Sequence, residues 1–95
     1  MKMRIGVLTV TLYLHAAESL KHKRSVIKSL IETTRRKFNV SIAEVADLDK
    51  WQRSTIGIAF VANDVRFLNG VMDTVVNHLE SCPEFEVGEV DLELM

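Results

Sequence analysis

The sequence predicts an α+β domain in which two helices cover one face of a four-stranded antiparallel sheet. Three observations predict it. Hydrophobic spacing switches repeatedly between a period of two and a helical period. Two helix-start signals, Ser19 and Asn63-Asp64, each precede a helical stripe. Pro83 then halts the second stripe ahead of a last alternating run.

Residues 3–14 read as a strand, with Leu8, Val10, Leu12 and Leu14 alternating with Thr9, Thr11 and Tyr13. Lys2 and Arg4 before this run and Ala16-Ala17 after it also outline a weak signal peptide. The strand is the preferred reading, because removing the segment would take away much of the available core. Ser19 caps a helix to about Lys37, with Leu20, Ile27, Leu30, Ile31, Thr34 and Phe38 on one stripe. Residues 39–46 and 55–62 are β-branched and alternating, and the polar stretch 47–53 joins them as a hairpin. A second helix starts at Asn63-Asp64, carries Leu68, Val71, Met72, Val75 and Leu79, and ends near Ser81. Residues 84–94 form the last strand.

The order β-α-β-β-α-β is the split βαβ, or ferredoxin-like, arrangement. Right-handed crossovers place both helices on one face, with strands 3–14 and 55–62 in the centre. Parity then turns Leu8, Val10, Leu12, Leu14, Ile56, Ile58 and Phe60 toward the helices. In the last strand, Phe85 and Val87 differ in parity from Val90, Leu92 and Leu94. A bulge near Gly88 brings all five to the core side and sends Glu86, Glu89, Asp91 and Glu93 to the open face or edge.

At 95 residues the chain, 1–95, is one domain. A hydrophobic share of 47% and a charged share of 26% exclude disorder and collagen-like repeats. One cysteine, Cys82, excludes an intrachain disulfide scaffold and fits a reducing compartment. No apolar run reaches the ~20 residues of a membrane helix, so no membrane partner is expected and the cytoplasm is the expected location.

The net charge of −1 conceals an asymmetry. Lys21, Lys23, Arg24, Lys28, Arg35, Arg36 and Lys37 stand against Glu32 alone in the first helix, whereas residues 64–95 carry eight acids and Arg66. Lys21, Arg24, Lys28 and Arg35 fall near one line of that helix, a row that can follow phosphates. The plainer reading is a solvated helix face. Trp51, between Lys50 and Arg53 in the hairpin connection, can stack a base, fold back over apolar surface, or pack on a second subunit. The open sheet face offers Thr9, Thr11, Tyr13, Ala59 and Val61, small and neutral, and such a face invites a homodimer. It lacks the aromatics of sheet-type RNA readers, so any nucleic acid belongs to the helix.

The remaining chemistry is sparse. His15, His22, His78 and Cys82 lack metal-ligand spacing. Gly6, Gly57, Gly70 and Gly88 are scattered and form no phosphate-cradling loop. Asp47 and Asp49 have no base or nucleophile beside them, and Ser19 serves as a cap. No catalysis, cofactor, metal or small-molecule substrate is expected.

Ser19-Leu20-Lys21-x-Lys23-Arg24, residues 38–45 (Phe-Asn-Val-Ser-Ile-Ala-Glu-Val), Trp51-Gln52-Arg53 and Asn63-Asp64 together resemble the YlxP-like family of small uncharacterised bacterial proteins. The resemblance spans nearly the whole chain. It implies a ferredoxin-like fold and no established activity. Members are often encoded beside translation-initiation and ribosome-maturation genes, which implies an RNA or ribosomal partner. Gly70 and the low positive charge of the second helix leave any such binding to the first. The resulting expectation is an accessory protein that binds RNA or a ribosomal particle through Lys21, Lys23, Arg24, Lys28, Arg35 and Arg36, with Trp51 and Arg53 secondary. The alternative is a homo-oligomeric interaction module using the sheet face or the hairpin edge.

Overall fold

The computed structural model describes residues 2–95. Six elements follow in the expected order: β1 (Arg4–Tyr13), α1 (Leu20–Lys37), β2 (Ser41–Ala46), β3 (Arg53–Ala62), α2 (Val65–Glu80) and β4 (Glu86–Leu94). The sheet runs β2-β3-β1-β4, entirely antiparallel, with β1 and β3 at its centre. This is the ferredoxin-like arrangement. The signal-peptide outline falls on β1, paired on both sides and contributing the fully buried Leu8, Val10 and Leu12.

Both caps are chemical. Ser19 Oγ accepts from the His22 N–H and Asp64 Oδ2 from the Phe67 N–H, satisfying amides that a helix start leaves unpaired. The core joins the helix-facing side of β1 and β3 to Val26, Ile27 and Leu30 of α1 and Leu68, Met72, Val75 and Leu79 of α2. Phe60 has the expected parity but stays partly exposed, packed against the margin of this core and against Phe67, 6.1 Å away between ring centroids.

Two bulges set the registers. Val10 faces Val90 while Leu12 faces Val87, so β4 carries one extra residue in the Gly88–Glu89 stretch. That puts Val87, Val90, Leu92 and Leu94 on one side of the strand, as their spacing requires. Gly88 has a steric duty here, since a Cβ at this position would collide with Cε2 of the Tyr13 ring. In β2, Glu44 faces Ile56 and Ala46 faces Thr55, leaving Val45 as the extra residue, laid over Gly57 on the open face.

Candidate nucleic-acid interface

The cations of α1 separate into three groups. Lys21, Arg24 and Lys28 are exposed, and no described carboxylate lies within ion-pair distance of any of them. Glu32 is one turn from both Lys28 and Arg36 and pairs with neither. Lys21 lies in the first helical turn and Arg24 begins the second, at the end of the helix dipole where a cation is disfavoured. Helix stability therefore does not account for Lys21. Arg35, Arg36 and Lys37 occupy the last turn, where cations offset the exposed carbonyls. Arg35 also donates from Nη2 to the Ile42 carbonyl at 3.3 Å.

Lys23 forms the third group and corrects the expectation. Its side chain is 0% exposed. Nζ lies 2.6 Å from Glu44 Oε2, donates to the Asp47 carbonyl at 2.7 Å, and has the Leu48 carbonyl at 3.5 Å. Ser54 Oγ donates to the same Glu44 oxygen at 2.6 Å. All three ammonium protons thus have acceptors inside the protein, and Lys23 cannot reach a phosphate. Ser54 is buried with it, whereas Glu44 keeps 15% of its side chain exposed.

Arg53 is engaged within the domain, although its side chain remains 43% exposed. Its Nε lies 3.0 Å from Asp47 Oδ2, and its guanidinium stands 5.7 Å over the Tyr13 ring, on the open face of the sheet. Asp47 also accepts from Thr55 Oγ1 at 2.7 Å. That hydrogen bond, with help from Arg53 and Lys50, holds the Asp47 carboxyl below its usual range against a smaller effect of burial. The open face is consequently charged at this end. Thr11, named for an interface, is only 7% exposed and leaves the candidate surface. Thr9 and Val61 are exposed, while Tyr13 and Ala59 are half-buried.

Trp51 stays out in solvent, 54% exposed, and does not fold back over the domain. Its loop nevertheless has a fixed position. Lys23 holds the Asp47 carbonyl, Leu14 N–H donates to the Gln52 carbonyl, and Gln52 Nε2 donates to the carbonyls of His15 and Ala17 just before α1. The loop carrying Lys50 and Trp51 is thereby drawn to the start of α1. On the far flank of α1, Val26, Ser29 and Thr33 line a cleft with His78 and Cys82 at the end of α2. Arg35 reaches β2 instead, so the row Lys21, Arg24, Lys28, Arg35 runs along the β2 side, away from α2. The opposite margin of the sheet, β4, exposes Glu86, Glu89, Asp91 and Glu93.

Fold and surface define a ferredoxin-like α+β domain with one cationic and one acidic margin. Among the described residues, no helix is long and apolar enough to cross a membrane. The chain belongs to the family described as Protein of unknown function (DUF503), which matches residues 5–92. It is similar to the uncharacterised protein YlxP of Bacillus subtilis (strain 168), at 37% identity over 82 residues, covering 86% of this chain and 89% of that one. It is also similar in fold to the de novo designed protein Foldit4, with a TM-score of 0.56 and 12% identity over 97% of this chain and 96% of the other. At that identity the likeness concerns the fold alone.

Proposed function

We propose that this chain is a non-catalytic accessory protein that binds structured RNA, free or within a ribosomal particle, through the outer flank of α1. Lys21, Arg24 and Lys28 contact phosphates, Arg35 continues the row at its C-terminal end, and Trp51 offers a stacking surface beside the start of the helix. The observation that carries the reading is a row of exposed cations without carboxylate partners, one of them at a helix position that stability disfavours. Phosphate contact is the interaction such a row serves, because it is electrostatic and indifferent to sequence.

Crosslinking in cells, with sequencing of the bound RNA and mapping of the attached peptide, tests the proposal. It predicts attachment within residues 20–37 and at Trp51. Attachment to the open sheet face, or no RNA recovered, contradicts it.

A further inference from the structure

β4 is an edge strand whose two sides differ in chemistry. Its open-face side carries Glu89, Asp91 and Glu93, all exposed. Its helix side carries Val90, Leu92 and Leu94, which remain 45%, 38% and 40% exposed because the core covers the strand only as far as Val87. The outer backbone of β4 has no partner strand among the described residues.

Carboxylates on a sheet edge often serve only to repel other edges. That role does not account for three aliphatic side chains left in water on the same strand. Here the carboxylates occupy one side of the strand and exposed aliphatic side chains the other. We propose that β4 docks an extended basic segment of another protein as a fifth strand. The segment alternates Lys or Arg, set against Glu89, Asp91 and Glu93, with aliphatic residues set against Val90, Leu92 and Leu94. Backbone hydrogen bonds along the free edge supply the attachment, and the alternation supplies the selectivity.

A second copy of this chain does not fit the same edge. Directly opposed residues of antiparallel strands share a face, so β4 against β4 sets acids against acids. A basic alternating segment turns each of those repulsions into an attraction and covers the aliphatic strip as well. This surface lies on the margin opposite the α1 row and stands or falls independently of RNA binding.

The test is a titration of the full chain, followed by backbone amide resonances, with two short end-capped peptides of one composition. In one, lysine alternates with valine; in the other, the same residues are segregated in blocks. The proposal expects the alternating peptide to shift amides of residues 86–94 and to bind about tenfold more tightly than the block peptide at low salt. E89K/D91K/E93K, three exposed changes that leave the core untouched, reduces that binding about tenfold, and Leu92→Asn reduces it with the charges intact. Equal binding of the two peptides, or shifts confined to other elements, overturns the proposal. So does a concentration-dependent dimer that masks the β4 amides, since it gives the edge to a second copy.

Discussion

The Lys23 ammonium and the Glu44 carboxylate meet at 2.6 Å beneath α1, with Lys23 wholly shielded from solvent. The pair ties the helix to β2, and Lys23 further grips the carbonyls of Asp47 and Leu48, so one side chain positions the loop bearing Trp51. Removing one partner of such a pair strands a buried charge. Glu44→Gln is expected to cost about 3 kcal/mol or more in chemical denaturation. The double variant K23M/E44L, which removes both charges, is expected to be more stable than Glu44→Gln alone. A Glu44→Gln protein as stable as the parent contradicts this account of the pair.

His78 gives the fold a pH dependence of definite sign. Burial, and then the nearby charge of Lys37, hold its imidazole below the ordinary 6.5. In the unfolded chain His78 takes up its proton near the ordinary value, before the folded state does. Stability therefore falls as pH drops below about 6.5, until the folded imidazole is also protonated. Thermal unfolding across that window is expected to show the decline, and His78→Gln is expected to flatten it. Lys37→Ala should flatten it partially, by removing the second cause.

The glycines at 70 and 88 predict opposite responses to one methyl group. Gly88→Ala drives a Cβ into the Tyr13 ring, which is stacked with His15 and lies under Arg53, and is expected to cost about 1–3 kcal/mol. Gly70 sits inside α2, and a Cβ there meets nothing within 4 Å. Gly70→Ala is expected to stabilise by about 0.5–1 kcal/mol, by helix propensity alone. Denaturation midpoints of the two variants on either side of the parent check both statements.

Trp51 separates binding from folding. Because it is exposed, Trp51→Ala is expected to leave the unfolding free energy within about 0.5 kcal/mol of the parent. RNA affinity should fall by about 1–3 kcal/mol, the range for one lost stacked base. As the chain's single tryptophan, it also reports directly: its fluorescence should change on addition of RNA.

The architecture was legible because alternation and caps are local signals. Leu8, Val10 and Leu12 established the buried parity of β1, Ser19 and Asp64 marked the helix starts, and the parity break around Gly88 located the bulge. The buried lysine was also written in the chain. Lys23 stands four residues before Ile27 and seven before Leu30, on the apolar stripe, and Glu44 shares the parity of Ile42. Residue type argues for the surface and register for the core, and the burial of Lys23 follows register. Two features have no local signal. Asp47, at φ 64°, meets Arg53 and Thr55 only once the loop has closed. The bare helix side of Val90, Leu92 and Leu94 depends on where the core ends across the sheet, which strand parity does not encode.

The central claim is that an unpartnered cationic flank on α1 holds a polyanion. The most direct measurement is the affinity for a structured RNA hairpin across a salt series, for the parent and for K21E/R24E/K28E. The account predicts salt-sensitive binding by the parent, and for the reversal weaker binding with a log–log salt slope shallower by about 2–3, one contact per lost cation. Equal affinity and equal slope for the two proteins, with both folded by circular dichroism, would contradict it.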